Sequence, residues 1–560
     1  LSSTSVYSYI TKIVVASNGD VYASTNGSGI IRSTNGGTSW TKVLGSGVGA
    51  STNRAADIEI GADGTLYAAM GIFSTDGIYT STNGTTWTKR NTGGSGFPTS
   101  GIARIEIGCA PNNANVVYAL VQSSGTSIQG IYKSTDKGVT WSTLALPNDA
   151  DTGIPAGDFT RGQAWYDLSV DVDPNNSNTL FVGGIDLFKS TNGGSSWSQV
   201  SHWYGGFGFQ EVHADQHVAK YKPGSSTEII FGHDGGVSYS SNASAGMPTI
   251  SARNNGYNVT QFYAAAINGA SGSNNMLAGA QDNGTHKFTT AGINSTSEVT
   301  GGDGAFCHID QSNGNNQISQ YVYNVVYRTT NNWSSGTAQI SNDQSTGLFI
   351  NPSDYDDKED IYYSGFSNGS SLRVKRITNP FGSATSGTIT IGASSDDVSH
   401  ISASPYATAG NSTIFVGTDA GDVYKISNAQ GGFLTITIIG SALPSGNISC
   451  IAIGASEQQL LVTLSNYGVI SVWETTNGGS NWVNKEGNLP NMPVRWAMYN
   501  PFDYTQAFLA TEVGVWSTTD ITVGSVDWSP TNTGLANVRT DMLQYRSADR
   551  TIVAATHGRG

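Results

Sequence analysis

Charge is what this sequence has least of. Lys, Arg, Asp and Glu make up 12% of its 560 residues, against roughly 25% in an average soluble protein. The charge present leans acidic, 27 basic against 41 acidic side chains, for a net charge of −14. A nucleic-acid surface needs clustered Lys and Arg to displace counterions, and the absence of such a run argues against a nucleic-acid partner. Three cysteines, Cys109, Cys307 and Cys450, are too few and too scattered for a disulfide framework or a thiolate metal site. They are expected to be buried small hydrophobes. No apolar run approaches the roughly 20 residues of a membrane-spanning helix, so no membrane span is expected. Helical periodicity is nearly absent, as are a phosphate-cradling Gly-rich loop and a Gly-x-Ser-x-Gly elbow.

What is present is glycine, 70 residues of it, and a phrase that recurs. It reads Ser190-Thr191-Asn192-Gly193-Gly194-Ser195-Ser196-Trp197, and returns at Ser33–Trp40, Ser134–Trp141 and Thr475–Trp482, with a copy one residue shorter at Ser81–Trp87. An Asn or Asp side chain can bond the backbone two residues on, and the glycine after it supplies the positive φ of a tight hairpin. The Trp then drops back as an apolar plug with one N–H to satisfy. Tryptophans 40, 87, 141 and 197 are 47, 54 and 56 residues apart, a repeat period.

Between these turns runs a second pattern: an alternating strand, a Gly-rich bend, another strand. Twelve copies stretch from Val21–Arg32 to the one beginning at Ile552, about 47 residues each, the size of a four-stranded propeller blade. The expected fold is all-β. Twelve blades exceed the usual four to eight of one ring, so two propellers in tandem are expected, residues 1–255 and 256–560, with the junction between Gly246 and Gly269. The alternatives are one ring of ten or more blades, and closure through a blade shared between the termini. The last residues, from Ala554, read as a blade hairpin stopped at its bend. The chain opens on Leu1, which fits a signal segment already removed or a trimmed chain. With polar, hydroxyl-rich loops, this predicts a secreted or cell-surface location.

The densest polar constellation lies between residues 202 and 310. His202-Trp203-Tyr204-Gly205-Gly206-Phe207 offers rings, Trp203, Tyr204 and Phe207, that stack on sugars or pack a blade edge. In Glu211-Val212-His213-Ala214-Asp215-Gln216-His217, strand alternation would point His213, Asp215 and His217 the same way, a set suited to a divalent metal, calcium or zinc; a hydrogen-bonded polar cluster is the alternative, and no cofactor is certain. Three acidic Gly turns follow, at Asp234, at Gln281-Asp282-Asn283 and at Asp303, taken as equivalent in phase and so on one face. Their carboxylates are either the acid and base of a glycosidase or turn-formers. Gln281 and Asn283 stand beside them as ligand-binding candidates. Asp149-Ala150-Asp151 and Asp171-Val172-Asp173 resemble calcium loops without the Gly and distal Glu of an EF-hand. Asp354 to Asp360 reads as a solvated acidic loop. The connection Leu144–Gln163 is long enough to be functional or mobile.

The recurring octapeptide resembles the Asp-box, or BNR repeat, of sialidases, sortilin and two-propeller xyloglucanases, with Asn replacing Asp in every copy but Asp136. In those families the box is structural. The run Trp165–Trp197, with the stretches around His213, His233, Phe262, Gln281 and Asp303, is similar to large secreted surface proteins that carry such propellers and are commonly exported by the type IX route. For the xyloglucanases, a hairpin with a catalytic Asp is matched loosely by Asp234-Gly235-Gly236-Val237-Ser238-Tyr239. A sialidase would bring an early Arg-Ile-Pro and three arginines; no Arg-Ile-Pro occurs, and Arg32 and Arg54 lack that context. Two functions follow as expectations: a surface module binding glycan or protein, or part of an extracellular assembly; and a glycoside hydrolase of the endo-β-glucanase or xyloglucanase kind, with Asp234, Asp282 or Asp303 among its acids.

Overall fold

The computed structural model describes residues 9–257 and 259–559. Every regular element in it is a β-strand, and the strands form twelve sheets. Ten have four strands, the first has five and the last two. Within each sheet the strands pair in sequence order and antiparallel, apart from the short parallel fifth strand of the first. This is the β-propeller blade foreseen from the repeat, in the number foreseen.

The chain divides into two compact units, Leu1–Tyr257 and Asn258–Gly560. The first holds five sheets and the second seven. The leading strand of each sheet lies innermost. In the first unit these are Ile10–Val15, Ala55–Ile60, Ile102–Cys109, Ser169–Val172 and Gln216–Tyr221, and they line a channel of about 670 Å³. In the second unit the two-stranded sheet, Thr540–Arg546 with Thr551–Thr556, lies against both Val494–Asn500 and Phe262–Ile267. Met542 and Ala555 join Phe262, Ala264 and Ala280 in one core cluster. The end of this unit thereby returns to its beginning.

Neighbouring sheets are held by apolar side chains between their faces and by a recurrent polar stitch. Asp57 Oδ2 accepts from Ile107 N at 2.8 Å, Asp171 Oδ2 from Tyr221 N at 2.6 Å, and Asp354 Oδ2 from Ala403 N at 2.7 Å. In each case the carboxylate of one leading strand satisfies a backbone donor of the next sheet. The acidic stretch beginning at Asp354 is therefore not the solvated loop expected. Asp356 is buried and accepts from Ser412 Oγ at 2.6 Å. Burial raises the Asp354 carboxyl to about 6 and Asp357 to about 7. Cys307 and Cys450 are buried, Cys109 is partly so, and all three are free.

The recurring octapeptides join the third and fourth strands of their sheets. In Ser33–Trp40, Asn35 Oδ1 accepts from Ser33 Oγ and Ser39 N, both at 2.9 Å, and Ser33 Oγ accepts from Gly37 N at 2.9 Å. Gly36 and Gly37 sit at φ +67° and +89°, which L side chains rarely adopt. Trp40 and Trp141 each donate to their own turn, at Gly37 and Gly138, both at 3.0 Å. Trp197 and Trp482 instead reach the preceding connection, at Ala145 and Ile439. In the shortened copy the indole N–H of Trp87 is buried with no partner.

Candidate functional site

In an up-and-down four-stranded sheet, the second-to-third turn and the exit from the fourth strand end on one rim. The first-to-second and third-to-fourth turns end on the other. The octapeptides, all third-to-fourth, therefore share one rim of their unit, and the polar candidates fall on the opposite one. Asp234 lies in the second-to-third turn between Ile229–His233 and Gly236–Ser240. Residues 144–168 and 200–215 are exits from fourth strands.

On this rim of the first unit, Asp234 Oδ1 lies 2.6 Å from His217 Nε2, and the Tyr166 hydroxyl donates to both oxygens at 3.0 and 3.1 Å. Half-burial pushes the Asp234 carboxyl up, but the bonds from His217 and Tyr166 outweigh it and hold the group below its ordinary value. Tyr166 packs edge-on against His217, ring centroids 4.8 Å apart, and Trp165 lies 5.5 Å from Tyr166. Both rings face solvent, 43% and 39% exposed. Arg104 positions them, donating to the Trp165 and Tyr166 carbonyls at 3.2 and 3.0 Å. Arg104, Trp165 and His217 also stand among the lining of the channel.

Beneath them is a carboxyl that the sequence did not single out. Asp167 is fully buried, and neither side-chain oxygen has a hydrogen-bond partner. Burial, reinforced by the charge of Asp215, raises it to about 9, so it carries a proton at neutral pH. Asp215 is raised too, by burial and then by Asp234. Asp167 thus keeps its proton inside the fold while Asp234, on the rim, has lost its own.

The grouping of His213, Asp215 and His217 rested on a strand through all three. That strand begins only at Gln216, and Asp215 sits at φ +66°, so the alternation that would align them does not operate. His217 instead pairs with Asp234. His213 approaches the Ala214 carbonyl at 3.2 Å and stacks on His233, ring centroids 5.9 Å apart. Burial lowers His233 to about 4, leaving it neutral, with Nε2 2.9 Å from Ser238 Oγ.

Asp234 belongs to the first unit, Asp282 and Asp303 to the second. Asp282, at φ +55°, occupies a second-to-third turn like Asp234, but Asp303 precedes a leading strand, so the three are not equivalent in phase. Asp303 Oδ1 accepts from the Asp282 N–H at 3.0 Å, so this carboxylate secures the other's turn. Asn283 Nδ2 donates to the Gln281 carbonyl at 2.8 Å, and the Gln281 side chain accepts from the Tyr263 hydroxyl. Gln281, Asp282 and Asn283 are exposed. Trp203, Tyr204 and Phe207 are exposed around a buried ring, His202, with Tyr204 4.2 Å and Phe207 5.1 Å from it.

Fold and site together define an all-β propeller protein with carboxylates and aromatic rings on one rim of its first unit. No protein-family model matches the chain. Over 101 residues it is 32% identical to the xyloglucanase Xgh74A of Acetivibrio thermocellus, and over 98 residues 37% identical to a xyloglucanase of Hypocrea jecorina. Each match takes in 16% of this chain and only 12% and 11% of those relatives. Among solved structures it is similar to the GH74 xyloglucanase of Xanthomonas campestris, with a TM-score of 0.60 at 14% identity over 98% of this chain and 81% of that one.

Proposed function

We propose that this chain is an extracellular polysaccharide-binding propeller protein, and that the rim bearing Trp165, Tyr166 and the His217–Asp234 pair is where the sugar chain lies. The reading rests on one observation: two adjacent exposed aromatic rings, held by Arg104, flank a hydrogen-bonded carboxylate. Rings of this kind cover the apolar faces of pyranoses while carboxylate and imidazole take their hydroxyls. The relatives' printed activity makes xyloglucan and related β-glucans the first ligands to try. The octapeptide turns fit in as Asp-box hairpins, with Asn in place of Asp in every copy but Asp136, and their role is structural.

The test is binding of xyloglucan by affinity electrophoresis or calorimetry. Trp165→Ala is expected to weaken it about tenfold, the equivalent of about 1.4 kcal/mol. Undiminished binding, or no binding of any β-glucan by the intact chain, removes this reading in favour of a protein partner.

The relatives' printed activity favours a second reading, hydrolysis. Asp234, ionised and hydrogen-bonded on the rim beside the exposed rings, is the carboxylate of this cluster placed to meet a sugar chain, whereas Asp167 is enclosed and acts on it only through its neighbours. Release of reducing ends from xyloglucan, lost in Asp234→Ala, would establish it. Binding without release leaves the protein a lectin-like module.

A further inference from the structure

We propose that Asp149, Asp151 and His202 form a binding site for a divalent cation of the Zn²⁺ class, in the first unit and separate from the Asp234 cluster. Among the described residues this is the one group of three or more His, Cys, Asp or Glu side chains whose ligand atoms all lie within 4.8 Å of one another.

The site is built by the long connection leaving the third sheet. Asp151 N donates to Asp149 Oδ1 at 2.9 Å, which turns both carboxylates to the same side. Arg161, from the same connection, is held at φ +48° and donates through Nε to Asp149 Oδ2 at 2.8 Å. Its other nitrogens lie 2.9 Å from Asp151 Oδ2 and 3.6 Å from Asp186 Oδ2. Three carboxyl groups thus share a single guanidinium.

His202 is what turns an acidic cluster into a site. It is fully buried, and neither ring nitrogen has a hydrogen-bond partner. A buried polar atom left unpaired costs about 1–3 kcal/mol, so this ring is waiting for something. Its Nε2 points at Asp151, 3.5 Å from Oδ2. That is long for a charge-assisted hydrogen bond, which closes to about 2.7–2.9 Å. It matches the edge of about 3.4 Å between two ligands of one tetrahedral zinc, with bonds of about 2.0–2.2 Å.

One imidazole nitrogen with two carboxylates suits zinc and its first-row neighbours better than calcium, which takes six to eight oxygens. Outer hydrogen bonds of the kind that fix metal ligands are in place, with the Tyr204 hydroxyl donating to Asp151 Oδ1 at 3.0 Å. Each ionised carboxylate has about four lone-pair sites and can serve guanidinium and metal together, while the Arg161 charge, bonded to both carboxylates, opposes the cation and lowers the affinity of the site. Bound there, the cation ties the long connection to the exit of the fourth sheet, fixing the exposed rings of Trp203, Tyr204 and Phe207.

The experiment uses the full chain, stripped with chelator and titrated with Zn²⁺ and, in parallel, Ca²⁺. One equivalent of Zn²⁺ is expected to bind and raise the melting temperature, with Ca²⁺ without effect. His202→Phe keeps an aromatic ring among its neighbours and is expected to lose at least tenfold in Zn²⁺ affinity, while His213→Ala binds as the parent does. Asp151→Asn is expected to lose affinity likewise, and serves if the Phe variant does not fold. No stoichiometric Zn²⁺ on the intact chain, a preference for Ca²⁺, or full Zn²⁺ affinity in whichever of these two variants folds, would overturn the assignment.

Discussion

The buried histidines respond to their surroundings in a way that no local string of letters announces. His400 is buried against Trp496, ring centroids 5.0 Å apart, with Nε2 3.0 Å from Ser402 Oγ. Burial lowers it to about 3. The folded protein therefore keeps this ring neutral where the unfolded chain, titrating near 6.5, takes up a proton. Its contribution is whole above pH 6.5 and is lost as the pH falls toward 3. The melting temperature should drop through that interval, by an amount equivalent to on the order of 5 kcal/mol, and His400→Gln should flatten the drop. A slope unchanged by the substitution would contradict this. Asp167 illustrates what was illegible at the same scale. The string Trp165-Tyr166-Asp167 is plain in the sequence, but that its carboxyl has no partner depends on the surrounding sheets. The His217–Asp234 pair is likewise a product of strand pairing, since Gln216 faces His233 across the sheet.

Single hairpins were the most legible elements, because their instructions are local. The octapeptide foretold its turn and its positive-φ glycines, but not where the indole N–H would go: Trp40 and Trp141 donate into their own turns, Trp197 and Trp482 elsewhere. Ser190 Oγ accepts from Gly194 N and bonds Asn192 Oδ1. Ser190→Ala is expected to cost about 1–2 kcal/mol in denaturant unfolding and to leave polysaccharide binding untouched, since this turn lies on the other rim. The same Oγ-to-Oδ1 bond occurs at Ser240 with Asn242 and at Thr329 with Asn331, copies missed because the glycines had drifted. The turn at Asp282 is less forgiving. A Cβ on Gly304 would stand 2.1 Å from the Gly284 carbonyl oxygen, so Gly304→Ala should destabilise by about 1–3 kcal/mol and loosen the Asp303–Asp282 bond. Faster amide exchange at Asp282 would report it.

For the whole molecule, counting repeats gave twelve sheets correctly, because each repeat buries its face only against the next. The sequence could not say how a run of sheets ends. In the second unit that role falls to two strands whose residues sit in one core cluster with Phe262 and Ala264. Met542→Asp should therefore weaken amide protection in Phe262–Ile267 as well as in its own strand. Protection in Ala55–Ile60 of the first unit is expected to stay as it was. Equal loss in both would show that the return of the last sheet onto the sixth is not what holds the second unit together.

The segregation of the Trp-bearing turns from the polar rim of the first unit has a practical corollary. The tip of such a turn, as at Gly36 and Gly37, is a natural attachment point for a dye or a biosensor tether. A molecule fastened there would present the rim of Trp165, Tyr166 and Asp234 outward, in uniform orientation, undisturbed by the anchor.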